Sequence, residues 1–173
     1  MGLLRRHEER GSDSAVRYQM RQKIFSIGDD YWIENEQGER VFKVDGKALR
    51  VRETMIIEDV TGAELCKIHQ KMLRVRDTME IERDGDTLAT VKKAMITPLR
   101  ERFSVDVRHG DDLEVHGNIV DHEYRIERGR DKIAEVSKRW FRVRETYGIE
   151  VAPGQDDALI LAVAACLDRM SHD

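Results

Sequence analysis

Near its C-terminus the chain reads "ALILAVAACL", Ala158 to Leu167, ten consecutive apolar residues. Pro153 and Gly154 interrupt whatever precedes it. Asp156 is placed to cap a helix, and Asp157 suits the positive end of the helix dipole. Wound at 3.6 residues per turn, this run is apolar in every direction and keeps no face for water. A bilayer span needs about 20 apolar residues, twice what is here. The helix must therefore be enclosed by the rest of the chain. Ala158, Leu159, Ile160, Leu161, Val163 and Leu167 are read as core positions, with the alanines keeping the helix slim.

What encloses it is written as a repeat. "LRVRETMIIED" starts at Leu49, "LRVRDTMEIER" at Leu73, and "FRVRETYGIEV" at Phe141. The first two are 24 residues apart, and a further 24 reaches Thr97 in "TPLRERFSVDV". In that register Ile57, Ile81 and Val105 coincide, as do Glu58, Glu82 and Asp106. "MEIER" alternates with period two, "RDGD" supplies a hairpin turn, and "TLATVKKAM" runs back. The unit is a β-hairpin lying beside its own copies. In "LRVR" the alternation predicts a strand with both arginines facing out, and the acid of "R[DE]T" reads as turn chemistry.

The same pattern extends in both directions. "KIFSIGDDYWIENEQGERVFKVDG" predicts three short strands, and the stretch from Arg102 to Trp140 four more, broken at His109-Gly110, Gly117-Asn118 and Arg128-Gly129. The total is about a dozen strands joined by short turns, hence mainly antiparallel. A closed sheet of that size is too wide to fill with its own side chains, since about eight strands is the packed limit. A helix about 10 Å across is a suitable plug. The expected fold is mainly β, a closed antiparallel barrel of about twelve strands around a buried apolar C-terminal helix. Residues 1–17 read as a disordered polar tail, and 18–173 as a single domain.

The blocks "QKIFSIGDDYWIENEQGERVFKVDGK", "MIIEDVTGAELCKI" and "YGIEVAPGQDDALILAVAACLD", in this order, resemble the LURP-one-related family. The resemblance covers residues 18 to 172. It implies the fold of tubby C-terminal domains and phospholipid scramblases, a twelve-stranded barrel around a C-terminal helix. It brings no activity with it. Tubby domains bind phosphoinositide head groups, but the basic residues that do so lie outside the matching blocks, so no site is carried over. The membrane-spanning tail of the scramblases has no counterpart after Leu167.

Composition narrows the function. Lys+Arg 30 against Asp+Glu 34 leaves a net charge of −4, too balanced to draw in nucleic acid by a global field. Two cysteines, Cys66 and Cys166, without a CxxC spacing, fit reduced thiols of a cytoplasmic protein. No Walker, dinucleotide, serine-hydrolase or HExxH signature is present, so an enzyme is not expected, and neither is a metal, nucleotide or flavin cofactor. "SKRWFRVR", Ser137 to Arg144, sets an aromatic pair among four cations. Strand alternation would point Trp140 and Phe141 to opposite faces. Lys138, Arg139, Arg142 and Arg144, with Arg74 and Arg76, are the candidate contacts for an unknown protein partner or for an anionic lipid head group, the latter implying a peripheral membrane location. His109, His116 and His122 are weak candidates for a metal, the last two facing each other across a turn at Gly117-Asn118.

Overall fold

The computed structural model describes residues 14–26, 28–46, 54–70, 78–97 and 100–171. Twelve strands form one closed antiparallel barrel: β1 (Val16–Arg21), β2 (Tyr31–Asn35), β3 (Arg40–Val44), β4 (Met55–Asp59), β5 (Glu64–Gln70), β6 (Thr78–Arg83), β7 (Asp86–Thr97), β8 (Arg100–Val107), β9 (Leu113–Asn118), β10 (Glu123–Arg128), β11 (Asp131–Ser137) and β12 (Thr146–Val151). Each strand pairs with its neighbours in sequence, and β1 closes the ring against β12, from Val16 opposite Val151 to Arg21 opposite Thr146. No described strand is left with a bare edge, which removes the usual template for aggregation.

The repeat positions fall as pleating requires. Ile57, Ile81 and Val105 are fully buried on β4, β6 and β8. The acids that follow them, Glu58, Glu82 and Asp106, face outward to cross-strand partners: Lys43 is in register with Glu58, His69 bonds Glu82 at 2.8 Å, and Lys92 bonds Asp106. Hairpin chemistry is local. Asp84 and Gly85 both take positive φ (53° and 82°), the pair of left-handed residues that lets a two-residue turn match strand twist. Asp59 and Asn35 instead fold their side-chain oxygens back onto backbone N–H groups two and four residues on, at 2.8–3.1 Å.

Helix α1 (Asp157–Ser171) runs through the barrel, and every residue from Ala158 to Asp168 is buried. Asp156 is its N-cap: its carboxylate accepts from Leu159 N–H at 3.2 Å and from both terminal nitrogens of Arg83, at 2.6 and 3.0 Å. Burial pushes the Asp156 carboxyl up, but the Arg83 guanidinium and the Leu159 N–H outweigh it and hold it below the usual value. Its neighbour Asp157 is driven the other way by burial, despite a hydrogen bond from the Tyr18 hydroxyl. No described helix is long and apolar enough to cross a membrane.

Four sequence expectations change here. The first strand is Val16–Arg21, starting inside the segment read as a tail. "KIFSI" is no strand: Ile24–Ser26 is a single 3-10 turn that buries Ile24. The turn expected at Gly117-Asn118 lies later, since β9 continues to Asn118 and the chain reverses over 119–122. Gly117 marks close backbone approach instead, because a Cβ there would stand 2.7 Å from Glu123 O and 2.8 Å from Tyr124 Cα. "FRVR" at 141–144 is loop rather than strand.

Candidate functional site

The connections from odd to even strands all emerge at one end of a meander barrel, and here the C-terminal end of α1 emerges with them. The described part of this end is built from the β1–β2 connection, the β9–β10 turn and the β11–β12 loop, 138–145.

The 138–145 loop is fastened at both ends. The Glu123 carboxylate accepts from the Ser137 hydroxyl (3.0 Å) and from Lys138 N–H (3.1 Å), and Arg139 N–H donates to the Ser137 hydroxyl oxygen (3.1 Å). At the far end the Thr146 hydroxyl donates to Val143 C=O at 2.7 Å, and Gln22 N–H donates to Glu145 C=O at 2.8 Å. Glu145 itself is left-handed, with φ of 58°. The acid of this "RET" copy is thus at a bend as expected, although threonine supplies the side-chain hydrogen bond. The corresponding acids Glu53 and Asp77 lie outside the described residues.

Between these anchors Trp140 and Phe141 do not point to opposite faces. Both rings lie over Gly148 of β12, where an added Cβ would meet Trp140 Cε3 at 2.8 Å and Phe141 Cδ2 at 3.0 Å. Strand alternation does not apply because the segment has left the sheet, and the missing side chain of Gly148 makes room for both rings. Arg17 stacks over the Trp140 ring at 4.6 Å while its Nε bonds Glu150 at 2.7 Å.

With its aromatics turned onto the barrel, the loop presents its cations outward. Lys138, Arg139, Arg142 and Arg144 are all exposed, and Val143 between the last two is 55% exposed. Arg139 approaches Glu123 at 3.9 Å; Lys138, Arg142 and Arg144 have no ion pair among the described residues. The nearby acids are engaged already, Glu145 by Arg21 at 3.7 Å and Glu150 by Arg17. The structure therefore brings four of the six expected basic residues together. Arg74 and Arg76 lie outside the described residues.

Beneath the loop is a buried polar cluster that sequence reasoning missed. Asp168, near the end of α1, accepts from Lys23 N–H at 2.6 Å and meets His122 Nε2 at 2.6 Å. His122, with a left-handed φ of 54°, stacks on Tyr147 with ring centroids 4.3 Å apart. Burial, and then the Asp168 carboxylate, push the Tyr124 and Tyr147 hydroxyls up, so both stay protonated. The only sequence signal was a lone acid closing an apolar run.

The three histidines do not form a metal site. His122 is buried against Asp168, His116 faces outward between Glu114 (3.3 Å) and Glu127 (3.4 Å), and His109 sits exposed in the β8–β9 turn. The place of the β9–β10 turn is the reason: the chain reverses over 119–122, so His122 lies in the turn and bonds Asp168, while Arg125 stands opposite His116.

With barrel, threaded helix and basic loop in place, comparison with known proteins fixes the family. The model of the LURP-one-related family matches residues 16–168. The chain belongs to the LURP-one-related family. In sequence it is similar to the uncharacterized protein YxjI of Bacillus subtilis (strain 168), with 27% identity over 154 residues, 89% of this chain and 93% of that protein. In structure it is similar to a protein from Arabidopsis thaliana, with a TM-score of 0.66 and 17% identity, covering 92% of this chain and 94% of the other. At that identity the second likeness concerns the fold alone.

Proposed function

We propose that this LURP-one-related protein is a non-enzymatic binding domain, and that the 138–145 loop is its contact surface for an acidic partner protein. One observation carries the reading: Lys138, Arg142 and Arg144 are exposed in one loop with no ion pair among the described residues, while charges elsewhere on the barrel, such as Lys92–Asp106 and Lys132–Glu135, are matched across or along strands. A non-catalytic role is supported by the place of the most reactive-looking group. His122 and Asp168 are each 2% exposed or less, out of reach of a substrate. Cys66 and Cys166 are buried free thiols, in keeping with a cytoplasmic setting.

A second reading, docking on anionic phospholipid head groups at the membrane surface, is favoured by Val143 standing exposed between two arginines. It ranks lower because Trp140 and Phe141, the side chains that would anchor at a membrane interface, are spent on covering Gly148.

Binding of a fluorescent poly-glutamate peptide tests the first reading, and co-sedimentation with phosphatidylserine vesicles the second. A cation near an anionic surface is worth about 1 kcal/mol, so Arg142→Gln with Arg144→Gln should weaken peptide binding by up to about 30-fold. Unchanged peptide binding in the double variant refutes the loop as the contact. Vesicle binding that survives physiological salt, where screening acts over about 8 Å, and is lost in the variant promotes the lipid reading.

A further inference from the structure

We propose that His69, Glu80 and Glu82, on the outer face of β5 and β6, form a binding site for a divalent first-row metal ion, with Zn²⁺ the best fit. The pleat brings them together. On β5, Cys66 and Ile68 point into the core and His69 points out; on β6, Met79 and Ile81 point in and Glu80 and Glu82 out. Register places His69 directly opposite Glu80, with Glu82 two residues further along β6. One donor atom from each residue lies within 4.8 Å of the other two, and His69 Nε2 is 2.8 Å from Glu82 Oε1. Among the described residues this is the group of three such donors that converges.

The repeat serves as an internal comparison. Shifted by 24 residues, Glu82 becomes Glu58 or Asp106, but Glu80 becomes Ile56 or Ser104, and His69 becomes Asp45 or Lys93. In all three units the repeated acid has a cross-strand lysine, Lys43, Lys67 or Lys92. Cross-strand charge pairing therefore needs neither an imidazole nor a second carboxylate, and only the middle unit has both.

One imidazole and two carboxylates suit Zn²⁺, which takes such donors at about 2.0–2.2 Å and completes its shell with water when three protein ligands are offered. The long glutamates close the remaining gap by rotation while the paired strands stay fixed. Glu80 is already oriented from outside the group, since the Thr87 hydroxyl of β7 donates to its Oε1, the kind of outer-shell contact that tunes metal ligands. All three residues are half-buried, so an ion can enter from solvent. One group opposes it: Lys67 stands in register with Glu82, also outward.

Isothermal titration of Zn²⁺ into tag-free, chelator-stripped protein is the test, with folding of each variant checked by circular dichroism. The wild type should show one saturable site that weakens as protons compete for the imidazole on acidification. His69→Ala and Glu80→Gln should each weaken it by tenfold or more, Lys67→Gln should tighten it, and His116→Ala should leave it unchanged. Absence of a saturable site overturns the proposal. So does wild-type affinity in His69→Ala or Glu80→Gln, or an equal loss in His116→Ala.

Discussion

Asp168 should be worth far more to the fold than its single charge implies. A carboxylate near a helix C-terminus faces the negative end of the dipole, a mild cost of about 0.3–1 kcal/mol. Here it is also 2% exposed, so its presence demands compensation, and the structure supplies two short contacts at 2.6 Å, from Lys23 N–H and with His122 Nε2. These contacts join the helix end to the β1–β2 connection and to the β9–β10 turn, both of which take left-handed backbone at Lys23 (φ 53°) and His122 (φ 54°). Asp168→Ala deletes the shared acceptor and leaves two donors unpaired, the buried His122 Nε2 and the part-buried Lys23 N–H, each costing about 1–3 kcal/mol, for a total of about 2–6 kcal/mol. Asp168→Asn should cost much less, about 1–2 kcal/mol. Its carbonyl can still accept from Lys23 N–H while its amide donates to an imidazole that presents Nε2 as acceptor. Urea unfolding of both variants measures the difference. In a domain of this size 1 kcal/mol moves the melting temperature about 2–4 °C, so Asp168→Ala should melt about 10 °C low and Asp168→Asn only a few degrees. Equal losses in the two variants, or a loss under about 1 kcal/mol in Asp168→Ala, would refute the clamp. In a double-mutant cycle, His122→Ala and Asp168→Ala should couple rather than add.

Two further outcomes follow from the helix. Leu161 is fully buried, so Leu161→Ala should cost about 2–5 kcal/mol in urea unfolding, whereas Leu161→Asp places an unpaired charge in the core and should leave no folded protein by circular dichroism. At its N-terminus two adjacent acids should respond to pH with opposite sign. Asp156, held below the usual carboxyl value, contributes stability that is present above about pH 4 and lost as pH falls through its folded value. Asp156→Asn should therefore cost about 1 kcal/mol or less at neutral pH and nothing in acid, since asparagine still caps. Asp157, held above it, costs stability once ionised, so Asp157→Asn should be neutral or stabilising at pH 7, with the gain gone below about pH 4 by thermal melts.

The barrel was legible in the sequence because its information is local. Each strand pairs with the next, so period-two alternation, turn residues such as Asp84-Gly85 and a 24-residue hairpin period define it without reference to distant segments. The helix was legible for the opposite reason: a run with no polar face allows only one environment. Failures came where the chain leaves regular structure. "FRVR" shows the alternation expected of a strand, but after Ser137 the backbone turns out of the sheet, and the rings of Trp140 and Phe141 settle where β12 happens to carry Gly148. Nothing within the loop announces that glycine. The Asp168 clamp was hidden more deeply, since Lys23 lies 145 residues away and contributes a backbone N–H, which every residue but proline possesses. A contact made by a generic group leaves no trace in side-chain pattern. The arginines illustrate the converse: their identity could be read at once, but whether they are paired depends on partners such as Glu123, Arg17 and Arg21 that reach the loop from other strands. Glu145 and Glu150 lie close to the loop arginines in sequence, but closure of β1 on β12 lets Arg17 and Arg21 occupy those acids, and so leaves the loop cations available to a partner.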